Sequence, residues 1–282
     1  MIRKGKDLMQ REAAWREAKR IDVHNHVRRA RGGQVTGSGE ALDVDHAERL
    51  LAKGEKLGID CFCVSVPLTG DAPTPDQVRA ANDAVLEAMR MSDRFLGFCF
   101  VNPGDAAAAL EEMERCIVEG GMMGVKLYHQ YVVCDPAQRP VMERAAELGV
   151  PVLMHAGKVT DTESQRRQPR LSHAGHFLKA AEMFPETTLI QGHIGGGGDW
   201  EWNLRVLEEA PANVYIDTSG SVIDTGIVDR TVATLGVDRV LFATDGILEE
   251  GVGKLLEANL DEADRARVFG GNVREIFARR RG

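Results

Sequence analysis

Two histidines spaced i, i+2 end a short β-favouring run, Ile21-Asp22-Val23-His24-Asn25-His26. On a strand, that spacing puts both imidazoles on one face, one pleat apart. Two neutral imidazoles converging from one side form half of a coordination shell for a divalent ion. Other titratable residues recur at comparable places: Lys126, His155, His193 and Asp245 each lie at or near the end of an apolar run. Whether these residues meet depends on the elements that carry them.

Apolar, β-branched runs alternate with segments of helical period along the chain. The pattern predicts strands over residues 20–26, 59–66, 95–101, 122–128, 150–155, 188–193, 213–218 and 239–245. It predicts helices over 43–57, 75–91, 105–119, 136–149, from 172, around Trp200, Trp202 and Leu204, over 224–235, and finally over 248–258 and 262–280. Gly58 closes the first of these as a helix-ending glycine, and Pro75 opens the second at its first turn. A further helix over 7–19, with Leu8, Ala13, Trp15 and Ala18 on its apolar side, precedes the first strand and packs across one end. Eight strand–helix units with short turns predict a (β/α)8 TIM barrel with a short N-terminal helix, C-terminal helices and no β-sandwich domain. An open doubly wound sheet would carry a glycine fingerprint after its first strand, where this chain has histidines. The glycine run 195–198 follows His193 and reads as an active-site loop. With no linker in sight, residues 1–282 read as one domain. In a parallel barrel all carboxyl strand ends share one mouth. His24, His26, His155, His193 and Asp245 therefore converge there, with Lys126 nearby. Nitrogens plus one carboxylate suit zinc first, then manganese, iron or cobalt.

Composition narrows the class. The 282 residues are 43% hydrophobic and carry a net charge of -8, which speaks against a nucleic-acid or anionic-membrane surface. The basic start, Met1 to Lys6, leads into a charged segment and not into a signal peptide's apolar stretch. No apolar run is long enough to span a bilayer. Five cysteines without framework spacing read as reduced core thiols in a cytoplasmic protein.

Several pieces together resemble the amidohydrolase superfamily, in particular its family 2 branch. They are Asp22-Val23-His24-Asn25-His26, Gly124-Val125-Lys126-Leu127, Met154-His155-Ala156-Gly157, Gly192-His193-Ile194-Gly195-Gly196, Phe242-Ala243-Thr244-Asp245 and the closing stretch from Gly270 to Phe277. The resemblance implies His24, His26, His155 and Asp245 as ligands of one divalent ion, with Asp245 also moving the proton. It implies His193 as a catalytic group, or as a ligand of a second metal. Lys126 would bridge two ions if carbamylated and would otherwise remain a cation facing metal or substrate. Asn25, on the opposite face of its strand, reads as a structural hydrogen-bonder.

A metal-activated water next to a polarised carbonyl would hydrolyse a lactone, ester or amide of a small organic acid or sugar acid. That lactonase-like hydrolase is the expected activity, and the modest chain length is its cue. The alternative is a metal-dependent, non-oxidative decarboxylase, or a hydratase, acting on an unsaturated or aromatic acid. A non-catalytic metal-binding barrel is the lesser alternative. Substrate readers come from the loops after the strands. Tyr128, His129, Arg166, His173 and Trp200 are the candidates, with Gln130, His176, Trp202 and the basic residues Arg28, Arg29, Arg31, Lys158, Arg167 and Arg170 behind them. The expected partner is a small molecule, and the expected assembly a homo-oligomer, with a dimer favoured.

Overall fold

The computed structural model describes residues 12–30, 42–194 and 198–281. The basic start, the beginning of the first helix, Arg31 with the glycines that follow it, and Gly195–Gly197 lie outside those residues. Helix α1 covers residues 12–17. The strands are β1 (Ile21–His26), β2 (Cys61–Ser65), β3 (Phe95–Phe100), β4 (Gly124–Leu127), β5 (Val152–Met154), β6 (Leu189–Gln191), β7 (Val214–Asp217) and β8 (Val240–Leu241). Between them run α2 (Val44–Lys56), α3 (Pro75–Met91), α4 (Ala106–Met113), α5 (Arg139–Leu148), α6 (Thr162–Arg167), α7 (Ala174–Met183), α8 (Trp200–Leu207) and α9 (Ile227–Leu235). Helices α10 (Leu248–Glu257), α11 (Glu262–Ala266) and α12 (Asn272–Phe277) end the chain.

The eight strands lie in sequence order, each parallel to the next. Hydrogen bonds from Val23 N to Phe242 O (3.0 Å) and from Asp245 N to His24 O (2.8 Å) join β1 to the β8 side and close the sheet into a (β/α)8 barrel. Short αβ turns permit this: Gly149, at φ 66°, ends α5 in the left-handed region that a side chain would disfavour, three residues ahead of β5's buried start at Val152.

Several expected elements are shorter or broken. β5, β6 and β8 stop before His155, His193 and Asp245, because the chain leaves the ladder to turn these side chains to the mouth. His193 (φ 70°) and Asp245 (φ 47°) adopt left-handed backbone that no strand tolerates. Helix α4 passes into a π-helical turn at Glu114–Glu119, and the expected helix 262–280 is interrupted by another at Arg267–Gly271. The loop after β5 carries a helix of its own, α6, with no buried residue.

Two apolar layers hold the barrel. Ile21, Val23, Cys63, Leu96, Phe98, Leu153, Ile190 and Leu241 fill its interior. The alternate strand residues pack outward against the helices. The interior layer continues into a plug at the amino ends of the strands, where α1 meets α12. Trp15 packs edge-on to Phe277 at 5.7 Å, and Phe98 reaches the same ring at 6.4 Å. All five cysteines are buried, and none is in a disulfide. No helix among the described residues is long and apolar enough to cross a membrane.

Phe277 is buried among residues that cannot all collapse onto a void. Phe277→Ala should cost about 3–5 kcal/mol of stability. A thermal melt checks this: an unchanged midpoint would show that the plug does not hold the barrel.

Candidate metal centre at the barrel mouth

β1 changes face in mid-strand. Ile21 pairs with Cys61 and Asp22 with Phe62, but the register then slips, and Asn25 meets Val64 while His26 meets Ser65. Below the slip, Ile21 and Val23 fill the interior. Above it, the even-numbered His24 and His26 turn to the mouth. Such bulges re-aim side chains beside functional sites. Asn25 faces away and donates to Asp22 Oδ2 (2.8 Å) and Thr244 Oγ1 (3.0 Å), the structural part its position implied.

The hydrogen bonds fix the tautomer of His24. His24 Nδ1 lies 2.8 Å from Asp217 Oδ2, and a carboxylate only accepts, so Nδ1 carries the proton. His26 Nδ1 lies 3.2 Å from Ser65 Oγ, a hydroxyl that can donate to it, and 3.3 Å from the Ser65 carbonyl. His24 Nε2 is left with a lone pair. His26 Nε2 faces Asp245 Oδ1 at 3.0 Å, and His24 Nε2 lies 4.0 Å from the same oxygen. The donor atoms of His24, His26 and Asp245 all lie within 4.8 Å of one another. Two imidazole nitrogens and an anion directed at one space form a donor set that fits a divalent ion.

Lys126, fully buried on β4, brings its Nζ to 2.5 Å from His24 Nε2. Burial pulls its pKa down to about 8, against the pull of the Asp245 and Asp217 carboxylates. Burial also holds the His24, His26 and His155 imidazoles below their ordinary range, and His193 falls to about 4 through burial and the neighbouring His24. Burial works to raise Asp217 and Asp245, but the adjacent histidines outweigh it and keep both carboxyls below the usual range. The site therefore presents neutral imidazoles and ionised carboxylates.

A second run of contacts reaches across the mouth. Asp217 Oδ1 accepts from His193 N (2.9 Å), Ser219 N (3.0 Å) and Ser219 Oγ (2.6 Å). His193 Nδ1 meets Ser219 Oγ at 2.9 Å, and its Nε2 meets His155 Nδ1 at 2.9 Å. His155 Nε2 ends the run at Gln168 Oε1, 2.9 Å away. His155 is thus at the mouth, bonded to His193 and Gln168. The amide bonds of His193 to Asp217 and of Asp245 to His24 O hold the two left-handed residues, whose backbone costs about 1–2 kcal/mol each. Gly192 allows the close packing: a Cβ there would stand 2.9 Å from Met154 O and 3.2 Å from the His24 ring.

A cavity of about 400 Å³ opens beside these groups, lined by His155, His193, Thr244 and Asp245, by apolar Ala156, Val159, Leu171 and Ile247, and by polar Ser164, Gln168 and Ser221. Tyr128 backs it, stacked on His155 at 4.3 Å. The other expected substrate readers are not among its walls. Arg166 is exposed on α6. Trp200 is buried in the helix layer and donates to Asp224 Oδ2 (2.8 Å), with Arg230 over its ring. His173 starts α7, stacks on His176 at 3.8 Å and meets Trp202 edge-on. His129 is buried against Tyr128. Sequence reasoning missed Asp217, Ser219 and Gln168. Asp217 was within its reach, since it closes the run Val214-Tyr215-Ile216 as the histidines close theirs. Gln168, in a polar loop, carries no such signal.

A closed (β/α)8 barrel with histidines and carboxylates around its carboxyl-end mouth defines the class as a barrel enzyme. The chain belongs to the amidohydrolase family, whose sequence model matches residues 21–279. Curated relatives include γ-resorcylate decarboxylase of Polaromonas sp. (strain JS666 / ATCC BAA-500), 24% identical over 292 residues and covering 83% of this chain and 88% of that one. A 2-keto-4-carboxy-3-hexenedioate hydratase of Sphingobium sp. is 22% identical, covering 71% of each. Among solved structures, dihydroxybenzoic acid decarboxylase of Polaromonas sp. JS666, with bound manganese and the inhibitor 2-nitroresorcinol, superposes with a TM-score of 0.69 at 20% identity, over 93% of this chain and 98% of that one. These relatives correct the expectation of a lactonase-like hydrolase. Chain length misled there, because length reflects loops while the mouth residues serve several reactions.

His193 gives a signed pH prediction for the metal-free protein. Its folded pKa, about 4, is below the unfolded value near 6.5. Its share of stability is therefore complete above pH 6.5 and is lost as the pH falls towards 4. Asp22, which burial lifts to about 7, acts in the opposite direction and stays in place when His193 is replaced. Between pH 7 and 5, His193→Gln should lose about 2 kcal/mol less than the unsubstituted chain. Urea midpoints at the two pH values measure this, and equal losses would contradict it.

Proposed function

We propose that the protein is a metal-dependent, non-oxidative decarboxylase of a small aromatic or unsaturated carboxylic acid, working as a single barrel domain. The observation that carries this reading is the group formed by His24, His26 and Asp245 beside a half-apolar cavity, on a chain similar over most of its length to aromatic-acid decarboxylases. His24, His26 and Asp245 would hold one ion, and His155 would join them by exchanging its Gln168 bond. Manganese comes before zinc, because a similar structure holds manganese and the nitrogen–oxygen donors accept both. The second donor group, His24, His193 and Asp217, gives no reason for a second ion. Its Asp217 is already spent on the His24 ring and on the backbone of His193 and Ser219.

When bound, the ion supplies a Lewis acid that anchors the acid's oxygens and draws off charge. The chain does the rest. Asp217 keeps His24 in the tautomer that offers Nε2. Ala156, Val159, Leu171 and Ile247 take the flat apolar face of the substrate, and Ser164 and Ser221 its hydroxyls. The C–C bond to the carboxyl group breaks, CO2 leaves, and the electron pair stays on carbon. Asp245, 33% exposed to the cavity, takes a proton from a substrate oxygen and returns it to that carbon. His193 lies 3.9 Å from Asp245 and holds its place through Ser219. Buried thiols without disulfides support a reducing, cytoplasmic setting.

Manganese-loaded protein should release CO2 from at least one member of a panel of hydroxybenzoic and unsaturated dicarboxylic acids, with solvent deuterium appearing on the vacated carbon. Water addition without CO2 across the panel would instead assign hydratase activity and overturn the proposal. His24→Ala and Asp245→Asn should each lower kcat at least ~10³-fold while circular dichroism stays that of the folded barrel. Full turnover in either variant would remove its residue from the mechanism.

A further inference from the structure

Asp22 is the innermost polar residue of β1, fully buried and without reach to the cavity. Its carboxylate receives four hydrogen bonds. Oδ1 accepts from His24 N (3.2 Å) and Thr244 N (3.0 Å). Oδ2 accepts from Asn25 Nδ2 (2.8 Å) and Thr244 Oγ1 (2.6 Å). Asn25 Nδ2 also donates to Thr244 Oγ1, which closes the triangle. The first of these bonds falls within the register slip of β1, between Asp22 and Asn25. The Thr244 bonds reach the residue just before Asp245, across a seam where β1 and β8 form no regular ladder. One carboxylate thus ties the bulge that aims His24 and His26 to the turn that aims Asp245.

We propose that Asp22 is a positioning residue that sets the spacing of the donor atoms offered to the divalent ion, by locking the β1 bulge to the end of β8. The inference rests on the metal-site reading above. Asp22 itself touches neither ion nor substrate. A clamp that served stability alone would change how much of the protein is folded, and not the affinity of the folded barrel for an ion.

Asp22→Asn keeps the shape but turns one oxygen into an amide that faces two donors, so it opens half of the clamp. Titration calorimetry with Mn²⁺, on folded protein below its melting temperature, should show binding weakened by about 10–100-fold. Thr244→Val leaves the carboxylate and removes one of its donors, and should weaken Mn²⁺ binding several-fold. Thr244→Ser restores the hydroxyl and should bind as the unsubstituted chain does. Phe277→Leu, at the far end of the barrel, should lower the melting temperature without moving the Mn²⁺ affinity. If Asp22→Asn does not fold, the two Thr244 variants decide the matter. Unchanged Mn²⁺ affinity in folded Asp22→Asn and Thr244→Val, beside an unsubstituted chain that binds Mn²⁺, overturns the positioning role and leaves the metal site standing. An unsubstituted chain that binds no divalent ion removes both.

Discussion

The site depends on the parity of one strand. Side chains alternate across a strand with period two, so residues 21, 23, 24 and 26 cannot all face inward along a regular β1. Without the slip, either Ile21 and Val23 would leave the interior or the two histidines would point into the helix layer. The bulge, in the pairing with β2, resolves this conflict between the core and the site. Side-chain bonds tie it to the β8 side: Asp22 to Thr244, and Asn25 to both.

Charge in the mouth follows from the same crowding. Burial strips water from four imidazoles and keeps them neutral, so their lone pairs remain available. The carboxylates survive as anions because ring and backbone N–H groups point at them. Among the described groups at the site, Lys126 is the only permanent cation candidate, and burial weakens its hold on its proton.

The barrel and most of this mouth were legible in the sequence. Eight apolar runs separated by helical periods specify the closed sheet, and strand ends in a parallel barrel must meet, so His24, His26, His155, His193 and Asp245 could be brought together on paper. What could not be read was which bonds those residues make. Asp217 carries no motif, yet it sets the tautomer of His24 and the backbone of His193. Arg166 and Trp200 looked like substrate readers because loops carry function. Their directions depend on helix packing, and Trp200 belongs to the helix layer through Asp224. Reaction type was the least legible, because one set of donors serves water, carboxylate and carbonyl alike.

The plug of Trp15, Phe98 and Phe277 also governs traffic. With aromatic rings packed across the amino ends of the strands and aliphatic side chains filling the interior, the described residues form a cup closed at its base. Among the described residues, the cavity beside Asp245 is walled by Ser164 of α6 and by Ile247, so a substrate held there is met from the carboxyl-end side.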